Sequence, residues 1–291
     1  MITLHNESLT VEIDELGAQP HSIKRNDNGI EYLWQGDPAS WKRQAPVLFP
    51  FVGRLKDNQY TFDGKTYHQS QHGFARERQF TVVDKTDDRV VLELHSDDES
   101  RKVFPFEFVL KITYKLDDDQ LTVNYNVKNP GDRSLIYAIG AHPGFNVPVT
   151  ADGTFENVEL SVSPAEEYSR ILLKPPYNDS YHPQLIDMTK PLAINHELFN
   201  DDAIIYKTAG SDFNVTLHDK TIDHGVNVST KGTKYVGIWS TYPTEANFVC
   251  IEPWWGIADN VEADGLLLHK QDMSRLAPGQ DRDYDFSIKP F

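Results

Sequence analysis

Strict alternation of apolar and polar residues is the feature that most restricts how this chain can fold. It recurs in nine segments, at residues 79–84, 89–95, 106–115, 120–128, 212–218, 225–230, 235–239, 247–252 and 283–288. Period-two patterns rich in β-branched and aromatic residues predict strands with one buried face. No stretch of about twelve residues has the i, i+3, i+4, i+7 apolar spacing of an amphipathic helix. Since helices are not available to cover a parallel sheet, the expected fold class is all-β, a large antiparallel β-sandwich.

Turn signals separate these segments. Asp63-Gly64 lies between two short alternating segments, and an Asp-Gly pair in that setting is a strong marker of a β-hairpin. Residues 163–200 have no sustained period and include Pro-Pro and His-Pro dipeptides, which predicts long surface loops. No internal repeat or linker stands out, so residues 1–291 are expected to form a single domain.

Charge and cysteine usage narrow the class of partner. The net charge of -16 should repel nucleic acids and anionic membranes, and no apolar run approaches the length of a membrane span. Cys250 is the only cysteine, which excludes an intramolecular disulfide and fits a reducing compartment. The N-terminal residues lack the pattern of a secretion signal. We therefore expect a cytoplasmic monomer or homodimer that acts on a small molecule, with neither nucleic acid nor membrane as partner.

Glu252 is the first candidate for chemistry. It ends a strand whose alternation puts Phe248, Cys250 and Glu252 on one face, followed directly by Pro253, Trp254 and Trp255. A half-buried carboxylate beside two tryptophans should have its pKa raised by desolvation toward the range useful for proton transfer. Tryptophans such as Trp255 also provide a surface on which a pyranose ring can stack. The alternative is a strand-end acid capped by core aromatics.

Two histidines lie in similar settings. His142 follows the apolar segment 135–139 and precedes a Pro-Gly turn, where a fixed imidazole could act as a general acid near neutral pH. His72 lies between Gln71 and Gly73 in a comparable turn. For each histidine alone, a hydrogen-bonded structural role is the alternative, because the chain contains 11 histidines.

Arg54 and an acidic pair are further binding candidates. Arg54 follows an apolar run and Gly53, so its guanidinium could project from a buried turn toward ligand oxygens, or pair with an acid on the surface. Asp201 and Asp202 precede an apolar segment, a position that suits either a strand-end ligand carboxylate or an ordinary acidic turn. The sequence does not decide between the two aspartates.

Several other chemistries lack support. The glycine-rich nucleotide motifs, His-Glu-x-x-His, a cysteine pair and Gly-x-Ser-x-Gly are all absent from the sequence. Cys250 is a poor nucleophile candidate because nearby negative charge from Glu252 would raise the pKa of its thiol. A metal site built from scattered histidines stays open on the sequence alone.

Taken together, these motifs resemble the aldose 1-epimerase (galactose mutarotase-like) superfamily, and most nearly its LacX-type branch. The matching elements occur in the family's order: Gly53-Arg54, His72-Gly73, His142-Pro143-Gly144, an aspartate before an apolar strand, and Glu252-Pro253-Trp254-Trp255-Gly256. The resemblance covers nearly the whole chain. It implies a galactose mutarotase-like super-sandwich with an open cleft on a concave sheet, with no cofactor and no metal.

The resemblance also implies residue roles. Glu252 would be the base that takes the anomeric hydroxyl proton, and His142 the acid that protonates the ring oxygen. His72, Arg54 and Asp202 would hold the sugar's oxygens. The activity implied is interconversion of the α and β anomers of a hexose.

The segment Gln71-His72-Gly73-Phe74-Ala75-Arg76 departs from the pattern of free-sugar galactose mutarotases, and relatives that act on hexose 6-phosphates share the His-Pro-Gly-Phe form at residues 142–145. Arg54 and Arg76 together would suit a phosphate. The net charge of -16, however, disfavours a dianionic substrate at long range. The expectation is therefore a free hexose, with Arg54 as a ligand contact and Arg76 as a structural ion-pair partner.

Two alternatives belong to other functional classes. Glycoside hydrolysis needs two carboxylates about 5 to 10 Å apart, which Glu252 and Asp202 could supply. A non-catalytic sugar-binding protein on the same scaffold is the second alternative, because a fold does not fix a function.

Overall fold

The computed structural model describes residues 1–291 and consists mainly of antiparallel strands. Strands contain 49% of the residues and helices 8%. The prediction of an all-β antiparallel fold is therefore confirmed. None of the helices has the length and apolar character that crossing a bilayer would require.

The first half of the chain contains thirteen strands. In order they are β1 (Ile2–His5), β2 (Leu9–Asp14), β3 (Gln19–Arg25), β4 (Val47–Leu48), β5 (Gln59–Phe62), β6 (Lys65–His68), β7 (Thr81–Lys85), β8 (Arg89–His95), β9 (Val109–Asp117), β10 (Gln120–Lys128), β11 (Leu135–Tyr137), β12 (Gly140–Ala141) and β13 (Gly144–Asn146).

The second half contains eleven more strands. In order they are β14 (Val158–Ser163), β15 (Glu167–Lys174), β16 (Tyr177–Asp187), β17 (Leu192–Ala193), β18 (Ile204–Lys207), β19 (Phe213–Asp219), β20 (His224–Thr230), β21 (Tyr235–Trp239), β22 (Phe248–Trp254), β23 (Ser274–Leu276) and β24 (Asp281–Pro290). All nine segments predicted from alternation overlap one of these 24 strands.

Helical structure is confined to short turns. The single α-helix, α1, spans Asp98–Val103, and a capping box between Asp97 and Ser100 fixes its start. Six residues are too few to show a helical period, which is why the sequence pattern did not reveal this helix. Five 3-10 turns complete the helical structure, at Lys56–Asn58, Ala75–Glu77, Phe155–Asn157, His196–Phe199 and Leu267–His269.

Two large sheets form the body of the molecule. One has nine strands in the order β17-β14-β19-β20-β24-β10-β9-β8-β7, and the other has eight, with β16-β15-β18-β21-β22-β12-β4 as its path and β13 paired to β22. Alternate residues of both sheets belong to one cluster of 63 buried apolar side chains. The two sheets therefore pack face to face, as the predicted sandwich requires. Smaller sheets are formed by β1-β2-β3, β5-β6 and β11-β23.

The predicted Asp-Gly hairpin is confirmed. β5 and β6 pair antiparallel with Phe62 opposite Lys65. Asp63 and Gly64, which form the turn, have φ angles of 48° and 72°. Two successive positive φ values are what a tight two-residue hairpin turn requires.

The prediction of long surface loops at residues 163–200 is wrong. Most of this segment forms the hairpin of β15 and β16, which lies at one edge of the eight-stranded sheet. β16 is the outermost strand and is exposed over much of its length, so neither of its faces needs a regular apolar pattern. Its His-Pro step is tolerated because an edge strand has N–H groups that pair with no neighbour. For this reason the strand gave no period-two signal.

Candidate active site

A cleft of about 620 Å³ opens on the face of the eight-stranded sheet that points away from the main core. The two faces of β18 show this orientation. Ile204 and Tyr206 belong to the main core, whereas Ala203 and Ile205 belong to a smaller apolar cluster that lines the cleft. The cleft therefore has a sheet as its floor and loops as its walls. Its central side chains are Trp41, Gln71, His72, Arg76, His142, Asp202, Trp239, Glu252 and Trp254.

Glu252 lies on β22 at the base of the cleft. As alternation predicted, Val249 and Ile251 face the main core and Glu252 faces the opposite side. Only 1% of Glu252 is exposed. Burial, followed by the nearby carboxylate of Asp202, raises the pKa of Glu252 well above its ordinary value.

His142 is brought to Glu252 by strand pairing. β12 and β13 both pair with β22, with Gly140 opposite Trp254 and Gly144 opposite Cys250. His142 is halfway between these two pairs, so the same antiparallel register puts it opposite Glu252 on the same face. The Nε2 atom of His142 lies 3.1 Å from Oε2 of Glu252. The two residues, far apart in sequence, therefore form a buried pair that can give and take a proton.

Aromatic rings hold the imidazole of His142 in place. The ring of Trp41 stacks on it, with centroids 5.0 Å apart and planes 27° from parallel. Trp239 meets it edge-on at 5.6 Å. Burial, with the positive charges of Arg76 and Arg43, lowers the pKa of His142 to about 3. The surroundings thus favour a neutral imidazole beside a protonated Glu252.

His72 presents a hydrogen-bond donor to the cleft. Its Nδ1 accepts a hydrogen bond from the backbone N–H of Gly53 at 3.1 Å. Burial and the neighbouring His142 lower the pKa of His72 well below its ordinary value, so the ring is neutral. A neutral imidazole that accepts at Nδ1 carries its proton on Nε2. This Nε2 atom lies 3.2 Å from Nε2 of Gln71, so the side-chain amide of Gln71 borders the edge of the ring that a ligand oxygen would approach.

The structure separates the two aspartates that the sequence left open. Asp202 lines the cleft, and its Oδ1 accepts a hydrogen bond from the N–H of Ala203 at 2.9 Å. Burial raises the pKa of Asp202. Asp201 is exposed and does not line the cleft. Asp202 is thus the carboxylate available to a ligand.

The predicted role of Arg54 as a ligand contact needs correction, whereas Arg76 both forms an ion pair with Glu77 and lines the cleft. Arg54 is not among the residues that line the cleft, and its Nη2 donates a hydrogen bond to Oε1 of Gln71 at 3.0 Å. Arg76 lines the cleft, held by a hydrogen bond from its Nη2 to the carbonyl oxygen of Gln71 at 2.7 Å. Its distance to the carboxylate of Glu77 is 3.7 Å. Arg54 therefore holds the side chain of Gln71 from outside the cleft, whereas Arg76 is in a position to contact a ligand in the cleft.

The expected sugar-stacking role of Trp255 also needs correction. Trp255 belongs to the main core, where its ring packs 5.1 Å from that of Tyr284. Trp254 lines the cleft instead. The physical reason is the alternation of β22, which places Trp254 on the face of Glu252 and directs Trp255 to the other side.

The cleft concentrates polar atoms that have no partner within the protein. Six buried side-chain atoms of lining residues make no hydrogen bond: Nε of Arg76, Nδ1 of His142, Oγ of Ser240, Oγ1 of Thr241, Oε2 of Glu252 and Nε1 of Trp254. Buried polar groups are normally paired, and unpaired ones cost about 1–3 kcal/mol each. This set of donors and acceptors suits a small ligand rich in hydroxyl groups.

Several lining residues had no signal in the sequence. Trp41 and Arg43 come from an irregular segment, and Ser240 and Thr241 follow β21 in a loop. The tertiary fold brings these residues to the cleft, and no local sequence pattern predicts their position there. Trp254 is the exception, because continuing the alternation of β22 by one more step assigns it to the face of Glu252.

Gly73 fixes the backbone beside His72, which gives a test of local packing. Gly73 and Gly64 have nearly equal φ angles, 71° and 72°. A Cβ at Gly73 would lie 2.3 Å from the carbonyl oxygen of Phe49, whereas nothing lies within 4 Å of a Cβ at Gly64. We expect Gly64→Ala to cost roughly 1–2 kcal/mol for the left-handed conformation, and Gly73→Ala about 1–3 kcal/mol more. Urea unfolding would measure both, and equal losses would contradict this account.

Comparison with known proteins finds relatives that match nearly the whole chain. A family model described as aldose 1-epimerase matches residues 1–264. The plasmid-encoded protein LacX of Lactococcus lactis subsp. lactis is 30% identical over an alignment of 301 positions, which covers 99% of each chain. A solved galactose mutarotase related enzyme from Lactobacillus acidophilus is 41% identical, with a TM-score of 0.98, and the match covers 100% of this chain and 97% of that one. A galactose mutarotase-like protein from Lactobacillus casei is 32% identical with a TM-score of 0.91, and all of both chains is covered.

Proposed function

This chain belongs to the aldose 1-epimerase family, and from that premise we propose that it interconverts the α and β anomers of an aldohexose by opening and reclosing the sugar ring. The observation that carries the proposal is the buried contact of 3.1 Å between His142 and Glu252. Anomer interconversion requires one group that takes a proton from the anomeric hydroxyl and one that gives a proton to the ring oxygen. A carboxylate and an imidazole side by side supply both.

The proposed reaction begins with the closed ring in the cleft. Glu252 takes the proton of the C1 hydroxyl while His142 protonates the ring oxygen, and the bond between C1 and that oxygen breaks. The product is the open-chain aldehyde. Rotation about the C1–C2 bond then presents the other face of the carbonyl, and the reverse proton transfers close the ring as the opposite anomer.

The His142–Glu252 pair carries one proton throughout this cycle. Ring opening moves that proton, in effect, from His142 to Glu252 through the sugar. The neutral pair that results is the form favoured by burial, which lowers the pKa of His142 and raises that of Glu252. The cleft therefore stabilises the complex with the open-chain aldehyde, which is the high-energy species on the path. Because burial favours the neutral pair before the reaction as well, the cycle starts when the proton passes from Glu252 to His142 across their 3.1 Å contact, without help from bulk water.

Other lining residues would hold the sugar. The indole rings of Trp41, Trp239 and Trp254 provide apolar surfaces for the carbon face of a pyranose. The N–H of His72 and the carboxylate of Asp202 would bind its oxygens, together with the unpartnered hydroxyls of Ser240 and Thr241. The proposed partner is thus a single small sugar, bound by hydrogen bonds and stacking.

Polarimetry tests this proposal against its rivals. A freshly dissolved α-aldohexose should lose its excess optical rotation faster with the protein than in buffer alone. Binding of the sugar, measured by calorimetry, without acceleration would indicate a sugar-binding protein. Release of reducing sugar from a glycoside would indicate a hydrolase that uses Glu252 and Asp202. Either of these two results would contradict the proposal.

A phosphorylated hexose is a second candidate substrate, favoured by the arginines in the cleft. Arg43 and Arg76 both line it, and Nε of Arg76 is a buried donor without a partner. Burial is the main cause that lowers the pKa of Arg76 to about 10, and the positive charge of Arg43 is the second cause. Glu77 accepts a hydrogen bond from Arg43 and lies 3.7 Å from Nε of Arg76, so this carboxylate balances part of the charge, and the two arginines keep a net positive charge that suits an anion. This positive charge is local and acts against the long-range effect of the negative net charge.

Replacing Arg76 should therefore change substrate preference. We expect Arg76→Ala to lower kcat/KM for glucose 6-phosphate at least about tenfold, worth roughly 1.4 kcal/mol, and to lower kcat/KM for glucose far less. The loss on the phosphate should shrink at high salt. Arg78→Ala is the matched control, because Arg78 pairs with Asp97 outside the cleft. Equal losses on both sugars would mean that Arg76 holds hydroxyl groups, and the phosphate candidate would be rejected.

A further inference from the structure

A set of possible metal ligands lies at the base of the cleft and just beneath it, with His142 and Glu252 in the lining and Cys250 buried beside them. His142, Cys250 and Glu252 each offer one ligand atom, and these atoms all lie within 4.8 Å of one another. The three residues are 8%, 0% and 1% exposed. They come from β22 and from the turn that pairs with it, so the sheet itself holds them in position.

A second observation points to a ligand at this place. Oε2 of Glu252 and Nδ1 of His142 are buried atoms with no hydrogen-bond partner. The carboxylate and the imidazole also lie in contact, at 3.1 Å, which is a spacing that two ligands of one small cation adopt. The cysteine is thus not isolated, since the unpartnered, buried Oε2 of Glu252 lies beside it and faces Nε2 of His142.

The chemistry of the set favours a particular class of ion. A thiolate, an imidazole and a carboxylate suit Zn²⁺ and similar thiophilic divalent cations, which take four ligands in a tetrahedral arrangement. Three protein ligands leave the fourth position toward the cleft, for water or a sugar oxygen. Hard cations such as Mg²⁺ prefer oxygen ligands and would not gain from the sulfur.

We propose that His142, Cys250 and Glu252 bind a thiophilic divalent cation, and that this cation inhibits the protein by occupying its proton-transfer pair. On binding, the S–H bond of Cys250 and the O–H bond of the protonated Glu252 break, bonds from sulfur and from the carboxylate oxygen to the metal form, and both protons leave to solvent without any redox change. A metal-bound carboxylate and imidazole cannot exchange protons with a sugar. The inhibition rests on the proposed function, whereas the binding does not.

Cadmium provides a direct probe of the binding step. Because Cys250 is the only cysteine, any charge-transfer absorption between thiolate and Cd²⁺ reports this residue alone. Titration of the untagged wild-type protein should give this ultraviolet band with a one-to-one end point. Cys250→Ser and Cys250→Ala should abolish it, and His142→Asn should weaken the affinity at least about tenfold, as loss of one ligand does. Absence of the band in the folded wild-type protein would overturn the site.

Inhibition is tested separately with Zn²⁺. Anomer interconversion should be blocked by Zn²⁺, and the concentration for half inhibition should rise at least about tenfold in both Cys250 variants, each compared with its own metal-free rate. Inhibition that is unchanged in these variants would show that the metal acts elsewhere and would overturn the proposal. The Cd²⁺ band without inhibition of an active protein would overturn its inhibitory part. A protein that binds Cd²⁺ but never accelerates anomer interconversion would instead refute the proposed function.

Discussion

Replacing Glu252 by Gln is expected to lower kcat for anomer interconversion at least about a hundredfold, while sugar binding persists. Glutamine keeps the shape of the side chain and can still hydrogen-bond to the anomeric hydroxyl, but it cannot take the proton. Because glutamine has nearly the same size and shape as the buried glutamate, the change should leave the fold intact. Polarimetry would give kcat, and calorimetry would give the sugar affinity.

A control on the same reaction is available outside the cleft. Glu12 is exposed on β2 and does not line the cleft, so Glu12→Gln should retain the wild-type rate. Near-wild-type turnover in Glu252→Gln would refute the role of this residue as the base. Loss of sugar binding together with turnover would assign Glu252 to binding rather than to proton transfer.

His142→Asn is expected to have an effect of similar size. Asparagine fits between Trp41 and Trp239 and can still hydrogen-bond, but it cannot protonate the ring oxygen. We expect kcat to fall at least about a hundredfold. His218→Asn is the control, because His218 lies outside the cleft and pairs with Asp223.

The two residues should also act as one unit. Since neither proton transfer is useful without the other, the double variant should lose about as much as the more damaged single variant. Losses that multiply in the double variant would mean that His142 and Glu252 act independently. That result would contradict a shared proton, even if both single variants were slow.

Local patterns predicted much of the fold and part of the cleft. Period-two alternation located the strands because a strand with one buried face must alternate. The same alternation assigned Glu252 to the face opposite Ile251, and the structure agrees. It also predicts that Trp254 rather than Trp255 shares a face with Glu252, since residues two apart on a strand share a face. Trp255 was therefore the wrong prediction for the cleft, because the pattern itself favours Trp254.

Features that depend on pairing between distant segments could not be predicted locally. The contact of His142 with Glu252 depends on the register between β22 and the turn after β12. Arg54 and Arg76 follow similar turns, and only the packed structure directs one toward Gln71 and the other into the cleft. The hairpin of β15 and β16 was not predicted, because an edge strand does not need an alternating pattern.

The central claim, that this cleft exchanges anomers through His142 and Glu252, is tested most directly by magnetisation-transfer NMR on an equilibrated hexose. At equilibrium nothing is consumed and binding alone transfers no magnetisation between the α and β anomeric protons. Catalytic amounts of wild-type protein should produce exchange between the two resonances well above the buffer rate, and Glu252→Gln should reduce it at least about a hundredfold. Exchange at the buffer rate with wild-type protein, for neutral and 6-phosphorylated hexoses alike, would contradict the account.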